Sequence, residues 1–600
     1  MQTETTPVSG DSRIDALTQA VHWAGASGST LALSYSFAGP ASVWDSGSSG
    51  YAASDLWGPM AGVSALANEQ KVAAGAALQA WAAVANVRLT EVVDATATPG
   101  TIRLAFTHAP VAEQSYTYAA SNTDKGGDIW LNADAAWDGF VPGSYGYSTL
   151  LHETGHALGL KHPFEGGVVL PSAQESYATT LMSYTAFAGA PRSWVDFEPT
   201  TPMPGDILAM QWLYGANRSH HALDDTYTFH PGQRYFETLW DAGGSDTIVW
   251  SGSSGVTIDL NPGAFSTLGQ ALTYWSEDFS RTWSDARTVA IAWGTQIEHA
   301  VGGSGNDQLV GNALDNRLVG GLGDDTLNGA AGTHDIADYR GASAVNVNLA
   351  LGTATRGSER DTLIAIEAIF GSTASDTLRG LEGAANLPGE VFRGGGGNDT
   401  LHGGSGIDLA EFSGNVAAYS VQRTPGTMDV SVTHRSGGVD GSDSLSNVEL
   451  LLFGDRLIGF GPRVEEVARV AFALWSPAIY ASATLFSKGL SFYTNEYGYS
   501  LDTLCQVALQ YWPETGTALA AKLVANAPGT AQTAASLLAV MNANGGGDAL
   551  AGRAAAVKAV ALDAATTNQL ELMGVTTQGV FATLGFPSEP PEVFFGFLPG

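Results

Sequence analysis

The sequence predicts a multidomain protein: an α+β N-terminal domain, a parallel β-roll or β-sandwich in the middle, and a mostly α-helical C-terminal domain. Three observations predict this order: a two-histidine helix near residue 152, nine-residue glycine-rich repeats from residue 302, and Ala-rich helical spacing beyond residue 463. A chain of 600 residues is also too long for a single hydrophobic core. We therefore expect five segments, at residues 1–15 (a leader or propeptide), 16–220, 221–345, 346–462 and 463–600.

The second segment has the alternation of helices and strands expected of an α+β catalytic domain. Residues 69–84 are Ala-rich and periodic, which predicts a long helix. Residues 101–106 and 127–131 have the composition of strands. Residues 115–119 alternate in polarity, and they predict either an edge strand that pairs with an extended peptide or an ordinary internal strand.

Residues 152–162 carry the strongest chemical signal in the chain. His152 and His156 lie four residues apart, so both imidazoles project from one face of a helix. Gly159 permits the φ > 0 conformation that ends a helix, and the turn would bring His162 to the same point. Three neutral imidazoles leave one Zn²⁺ position open for a water molecule, whose proton Glu153 would take. The pattern predicts a peptidase with one catalytic zinc ion.

A methionine turn follows, in the sequence Leu181-Met182-Ser183-Tyr184. Met182 would form an apolar floor beneath the histidines, and Tyr184 would ligate zinc or hydrogen-bond an oxyanion. Taken alone, a histidine pair more often marks a solvated helix face, and Tyr184 would be an ordinary aromatic residue in a turn. The combination makes coincidence improbable, and it resembles the metzincin signature.

Composition limits the setting in which such a site would work. The formal net charge of −33 comes from 59 acidic and 26 basic residues, which argues against nucleic acid as a partner and suits the binding of several divalent cations. The single cysteine, Cys505, excludes an intramolecular disulfide. The first ten residues have neither a basic nor an apolar region, so we expect no Sec signal. We also expect no transmembrane segment, because no long uncharged apolar run occurs.

Nine-residue repeats occupy two blocks of the middle region. Glycines lead each repeat, aspartate is usually sixth and an aliphatic residue is usually eighth. The repeats begin at Gly302, Gly311, Gly320, Gly394 and Gly403, with a degenerate copy at residues 371–379. Glycine permits tight turns that expose carbonyl oxygens, and aspartate adds a hard carboxylate ligand, so the repeats predict a calcium-binding parallel β-roll.

Together these motifs resemble the serralysin family of bacterial metalloproteases with calcium-binding RTX repeats, over roughly residues 15–330. The resemblance extends to residues 143–147, 201–217, 240–247 and 297–298. By position it implies junctional Ca²⁺ ligands at Asp241, Gly243, Gly244, Asp246 and Glu298. It implies β-roll ligands at Gly303, Gly305, Asp307, Gly320, Gly321, Gly323 and Asp325. The second block adds Gly395, Gly397 and Asp399.

The repeats depart from the family pattern at three places. Asn316 replaces the aspartate of the second repeat, residues 333–335 break the fourth, and the loop at residues 220–225 lacks an expected glycine. The number of calcium ions therefore stays open.

The remaining segments carry weaker signals. Residues 410–460 alternate in polarity and predict a β-rich cap on the second repeat block, whereas residues 464–475 have helical spacing. Residues 592–600 place an acidic residue before a hydrophobic run, which is similar to the C-terminal signal of type I secretion.

We therefore expect a secreted, extracellular bacterial zinc endopeptidase that is stabilised by several Ca²⁺ ions, acts on protein or peptide substrates and leaves the cell through a type I secretion apparatus. Two alternatives remain open at this point. One is a calcium-dependent cell-surface, adhesion or surface-layer-associated protein with a vestigial peptidase domain. The other is a dedicated processing protease whose partner is a surface-layer protein.

Overall fold

The computed structural model describes residues 2–461, with gaps at 26–28, 46–49, 52–61, 96–97, 109–114, 342, 384–388 and 425–426. Beyond residue 461 it describes 505–506, 509, 516–526, 531–544, 549–562 and 580–583. The predicted helix at 464–475 and the predicted secretion signal at 592–600 lie outside these residues. The chain divides into two compact units, 1–313 and 314–600.

The first unit begins with a helix-and-sheet domain. Its strands are β1 (Thr3–Thr5), β2 (Val21–Trp23), β3 (Leu31–Phe37), β4 (Val63–Ser64), β5 (Val87–Glu91), β6 (Ile102–Thr107), β7 (Ser115–Thr117), β8 (Ile129–Asn132) and β9 (Trp194–Val195). Its helices are α1 (Ser12–Asp15), α2 (Asn68–Val84), α3 (Tyr145–Leu158) and α4 (Pro204–Tyr214). The predicted helix at 69–84 and the strands at 101–106 and 127–131 are confirmed as α2, β6 and β8.

The central sheet of this domain has the strand order β5-β3-β6-β8-β7, and β4 pairs with β6. Strands β5, β3, β6 and β8 are parallel, whereas β7 is antiparallel to β8 and forms an edge in the described part of the sheet. Parallel strands need apolar cover, and α2 and α3 supply it through Leu78, Trp81, Leu150 and Leu151, all 0–1% exposed. This packing fixes α3, the helix that carries the histidine pair.

The rest of the first unit is built from short strands. They are β10 (Thr226–Phe229), β11 (Glu237–Leu239), β12 (Thr247–Trp250), β13 (Thr257–Asp259), β14 (Phe265–Ser266), β15 (Leu272–Trp275), β16 (Thr282–Asp285), β17 (Val289–Ile291), β18 (His299–Val301) and β19 (Gln308–Val310). Parallel pairs join β10 to β12, β12 to β18 and β13 to β19. The β15–β16 hairpin pairs through β15 with β9, which joins it to the helix-and-sheet domain.

The second unit is mainly β-structure. Its strands are β20 (Arg317–Val319), β21 (Thr326–Asn328), β22 (Ile336–Asp338), β23 (Asn346–Asn348), β24 (Thr353–Arg356), β25 (Glu359–Ile364), β26 (Ala368–Phe370), β27 (Thr377–Arg379), β28 (Val391–Arg393), β29 (Thr400–His402), β30 (Leu409–Glu411), β31 (Tyr419–Arg423), β32 (Val430–His434), β33 (Ser442–Ser446), β34 (Leu450–Phe453), β35 (Arg456–Gly459) and β36 (Val580–Thr583).

Two sheets run through this unit in the manner of a β-roll. One has the order β20-β22-β26-β28-β30-β34-β35-β36 and is parallel as far as β34. The other has the order β21-β25-β24-β23-β27-β29-β33-β32-β31, with parallel pairing from β23 through β33. Each parallel turn stacks a buried side chain on the next, as Leu378 does on Leu401. The segment between the two repeat blocks therefore continues the roll.

Helices are found in part of the predicted helical C-terminal domain. They are α5 (Gly516–Asn526), α6 (Ala534–Ala543) and α7 (Leu550–Ala561), and they pack around Leu523, Leu537 and Val557. The same segment also contributes strand β36, which pairs antiparallel with β35. The prediction was thus incomplete, because a strand is present as well as the helices. No helix among the described residues has both the length and the apolarity to cross a membrane.

Candidate zinc site and carboxylate ladders

Helix α3 carries His152 and His156 and ends where the sequence predicts. Ser144 caps its N-terminus by accepting a hydrogen bond from the Tyr147 backbone N–H, and Gly159 ends it with φ 112°. The N–H of Gly159 donates to carbonyl groups of the last helical turn. The chain then reverses and brings His162 back to the histidine pair. One ring nitrogen from each of the three histidines lies within 4.8 Å of the others.

The hydrogen bonds of the three rings orient them for metal binding. Nδ1 of His152 donates to the carbonyl oxygen of Leu181 at 2.7 Å, and Nδ1 of His156 donates to that of Leu160 at 2.8 Å. Nδ1 of His162 donates to a carboxylate oxygen of Glu165 at 2.8 Å. Each Nε2 therefore keeps its lone pair, and the Nε2 atoms of His156 and His162 are 3.0 Å apart.

Electrostatics keeps two of the three rings, those of His152 and His156, in the form that binds a metal. Burial, with the neighbouring histidine His162, lowers the pKa of His152 to about 3, and burial lowers the pKa of His156 well below its usual value. Neutral imidazole is the form that binds a metal. Three such nitrogens with their outer nitrogens anchored fit Zn²⁺, which favours imidazole and tetrahedral sites.

Glu153 is buried beside the histidines and is held by a residue that the sequence did not indicate. The hydroxyl of Thr117, at the end of β7, donates to Glu153 Oε2 at 2.6 Å. Thr117 precedes Glu153 by 36 residues, so no local spacing could have linked the two side chains. The edge strand thus also positions the carboxylate.

The methionine turn lies against the helix as the sequence predicts. Met182 is fully buried, and a Cβ added at Gly155 would lie 2.8 Å from the Met182 sulfur. Glycine between the two helical histidines therefore lets the methionine approach the helix closely. The Tyr184 ring is 4.6 Å from the His162 ring and 5.8 Å from the His152 ring, and its side chain is 54% exposed.

The predicted junctional residues come together in the first unit. Asp241 accepts hydrogen bonds from the N–H of Gly243 and the hydroxyl of Tyr227 at 2.8 and 2.6 Å. Glu298 accepts from the N–H of Asp246 at 2.9 Å, and Asp246 Oδ2 is buried without a hydrogen-bond partner in the described structure. Both Gly243 and Gly244 have positive φ. A second group of possible metal ligands combines the predicted Asp241 with His221 and Asp225, which the sequence did not indicate.

The predicted repeat residues also take the expected turn geometry, unit by unit. In the first unit, Asp307 accepts from the N–H of Gly303 at 2.7 Å. In the second, Gly321, Gly323, Gly395 and Gly397 have positive φ, and Asp325 and Asp399 are buried beside Gly320 and Gly394. One contact departs from the pattern, because the guanidinium of Arg356 donates to the carbonyl oxygen of Gly321.

The second unit contains many more carboxylates of this kind than the repeats predict. In one sheet, five in-register carboxylates each precede a strand and form what we call the first ladder: Asp335, Glu367, Glu390, Asp408 and Glu449. In the other sheet the second ladder comprises the pair Asp325 and Asp361 and, beyond the intervening strands β24 and β23, the stacked Asp376, Asp399 and Asp443. Eight of the ten carboxylates directly precede a strand, as in the repeats, whereas Asp361 and Asp443 lie inside β25 and β33, and only the register identifies the full set.

Most ladder carboxylates hydrogen-bond to the backbone of an adjacent turn, and eight of the ten are buried, whereas Glu367 and Glu449 are half-buried. Asp399 accepts from the N–H of Asp376 and Asp443 from that of Asp399, both at 2.8 Å. Burial raises the pKa of Asp335 and Asp399 to about 7, and that of Asp443 to about 8. Stacked buried carboxylates are costly unless a cation accompanies them.

Known protein families match the two parts of this architecture. Residues 62–182 match the Matrixin family, and residues 210–406 match the family described as Peptidase M10 serralysin C terminal. A serralysin of Photorhabdus luminescens is 32% identical over 285 residues, which are 42% of this chain and 54% of the relative. Serralysin C of Dickeya chrysanthemi is 35% identical over 269 residues (40% and 53%), and metalloprotease AprA of Pseudomonas entomophila is 32% identical over 276 residues (41% and 53%).

The chain thus spans about half the length of the curated relatives that it matches. The matched segments contain the three histidines, Glu153, Met182 and most of the two carboxylate ladders. Residues 62–182 are therefore similar to the matrixin family, and residues 210–406 are similar to the C-terminal part of serralysins.

Proposed function

We propose that this protein is a secreted zinc endopeptidase that hydrolyses internal peptide bonds of protein substrates. The observation that carries the proposal is the convergence of three hydrogen-bonded imidazoles beside the buried carboxylate of Glu153. Zn²⁺ bound by His152, His156 and His162 would polarise the scissile carbonyl group and acidify a water molecule.

The side chains around this point supply the proton transfers. Glu153 accepts the proton of the attacking water and delivers it to the leaving amine, while the hydroxyl of Thr117 keeps the carboxylate in place. Tyr184 stands beside the His152 and His162 rings, where its hydroxyl would stabilise the oxyanion or ligate the zinc. Strand β7 lies at the sheet edge beside Glu153, so an extended substrate would pair with it through main-chain hydrogen bonds.

The proposed function also includes the binding of calcium ions. Several Ca²⁺ ions would bind at the junctional loop and along the repeats, where buried carboxylates and glycine turns supply oxygen ligands. Export through a type I apparatus to the extracellular medium fits the calcium requirement, because millimolar Ca²⁺ there would load weak sites. The β-structure that carries the ladders would then fold in the extracellular medium.

Substitution of Glu153 by Gln tests the hydrolytic role directly. We expect the variant to retain one zinc ion and to lose casein hydrolysis by about 10³-fold, since general-base catalysis typically contributes 10²–10⁴-fold. Tyr184→Phe should slow hydrolysis by about 10²-fold without abolishing it. Zinc content by mass spectrometry and initial rates on casein measure both effects. Glu69→Gln, at an exposed glutamate on α2, is the control and should match the parent. Retained hydrolysis in the Glu153→Gln protein would overturn the assignment.

A further inference from the structure

The loop after the third histidine brings an aromatic side chain to the candidate zinc site. The rings of Phe164 and His162 are nearly parallel, with an angle of 5° between their planes and 5.1 Å between their centroids. The Phe164 ring also lies 5.3 Å from the ring of Tyr184. The zinc signature ends at His162, so nothing in it specifies a phenylalanine two residues later.

The backbone of this loop is held at several points. The N–H of Leu170 donates to the carbonyl oxygen of Pro163 at 2.8 Å, which closes the base of the loop. The ammonium group of Lys161 donates to the carbonyl oxygens of Glu165 and Val168 at 2.7 and 3.2 Å. The phenyl ring is therefore attached to a backbone that hydrogen bonds restrain beside the histidines.

The loop exposes apolar side chains although buried positions flank it. Pro163 and Leu170 are buried, whereas Phe164, Val168 and Val169 are exposed, Phe164 by 44%. Single exposed apolar residues are ordinary on a protein surface, but three within one short loop beside a candidate metal site indicate a binding surface. Because the phenyl ring is stacked on the third histidine, a ligand would contact the part of the ring that remains open.

The charged side chains of the loop are already engaged. Nδ1 of His162 donates to Glu165 Oε1 at 2.8 Å, and the ammonium group of Lys161 is bonded to backbone carbonyl oxygens. An ionic side chain of a ligand would have to compete with these contacts. An apolar side chain would instead cover the open phenyl surface and remove it from water, which is favourable.

The distance from the metal ligands limits which part of a substrate could lie on Phe164. The Phe164 ring is only 5.1 Å from the ring of His162. An extended peptide whose scissile carbonyl group is held at the histidines advances by about 3.3–3.6 Å per residue. A side chain that rests on Phe164 therefore belongs to a residue within about three positions of the cleaved bond.

We propose that Phe164 is a specificity-determining residue, which receives an apolar side chain, aromatic or aliphatic, of a substrate residue close to the scissile bond. This inference rests on the proposed peptidase function and names a substrate class for it. The peptide bonds that are cut fastest are then those with an apolar residue at the position that contacts Phe164.

Cleavage profiling of the full-length protein, loaded with zinc and calcium, tests this with Phe164→Ala. The substrate is a peptide library made from a denatured proteome, and mass spectrometry identifies the residues that flank each cleaved bond. For the parent we expect leucine, isoleucine, methionine and phenylalanine to be enriched at one position near the bond. Phe164→Ala should reduce that enrichment by about 10-fold, at the lower end of the discrimination that apolar contacts give, and should leave the preferences at other positions unchanged. Phe164→Leu should retain most of the enrichment, because leucine restores an apolar surface.

A matched control and a metal measurement separate specificity from structural damage. Phe279→Ala, at an exposed phenylalanine on the β15–β16 hairpin, should keep the parental profile. Elemental analysis should find one zinc ion in every variant. An unchanged profile in Phe164→Ala, an equal loss at all positions together with lost zinc, or a parental preference for lysine and arginine at this position would overturn the proposal. If the zinc-loaded parent cleaved no peptide at all, the proposed function itself would be wrong.

Discussion

Single buried residues in the helix-and-sheet domain carry electrostatic costs, and Glu198 is the clearest case. Its carboxyl oxygen Oε2 is buried and has no hydrogen-bond partner within the described structure. Burial, with the charge of Asp138 nearby, raises the pKa of Glu198 to about 8, although Ser148 lowers it by hydrogen bonding. The group is therefore protonated in the folded protein at neutral pH and ionised in the unfolded chain.

This raised pKa gives a prediction about stability and pH. A folded pKa above the unfolded value contributes stability that is fully present below about pH 4 and is lost as pH rises towards about 8. Glu198→Gln removes the ionisation, so we expect the variant to lose less stability than the parent between pH 5 and pH 9. The difference should grow by at most about 1.4 kcal/mol per pH unit. Urea unfolding at a series of pH values measures it; parallel curves for parent and variant would contradict the assignment.

At the scale of elements, helix α3 is linked to α4 by hydrogen bonds through the methionine turn. Asp206, fully buried on α4, accepts hydrogen bonds from the Thr180 hydroxyl at 2.5 Å and from the backbone N–H of Leu181 at 2.7 Å. The carbonyl oxygen of Leu181 in turn holds the His152 ring. A side chain on one helix thereby orients a metal ligand on another.

Asp206→Asn should weaken that chain of contacts. An amide offers one acceptor where the carboxylate offers two oxygens, so a buried N–H or hydroxyl loses its partner at a cost of about 1–3 kcal/mol. We expect lower stability together with weaker zinc binding, measured by chelator competition. Glu69→Gln, at an exposed glutamate on α2, is again the control and should change neither. Unchanged zinc affinity in Asp206→Asn would separate the turn from the metal site.

Elements also show what sequence can predict here. His152, His156 and Glu153 were identifiable because helical spacing is local, and the repeats because their period is short. Thr117 and Glu390 were not, since each meets its partner through strand pairing between distant residues. For the same reason, apart from the degenerate copy at residues 371–379, the segment between the repeat blocks gave no sign that its strands continue the roll. Strand register brings such positions together in space, and the register cannot be read from a single sequence.

At the scale of the whole molecule, we expect the net charge and the proposed calcium binding to be coupled. Part of the formal net charge of −33 comes from the two ladders, most of whose members are buried. Self-repulsion of this kind opposes a compact state, and bound divalent cations offset it. Because the chain has a single cysteine, no intramolecular disulfide can stabilise this region. We therefore expect bound cations to stabilise it.

Removing calcium should therefore unfold the second unit before the first. In calorimetry of the full-length protein at pH 8, we expect EGTA with zinc resupplied to lower the melting temperature of one transition by more than roughly 10 °C, because several linked sites each contribute RT ln(1 + [L]/Kd). Added NaCl should restore part of this loss in the metal-free protein, since salt screens repulsion, whereas micromolar to millimolar Ca²⁺ should restore it fully and saturably. Magnesium at the same ionic strength is the matched control, because its smaller octahedral shell fits such carbonyl-rich turns poorly. Equal recovery by NaCl, Mg²⁺ and Ca²⁺ would mean that the ladders respond to ionic strength alone and hold no specific ion.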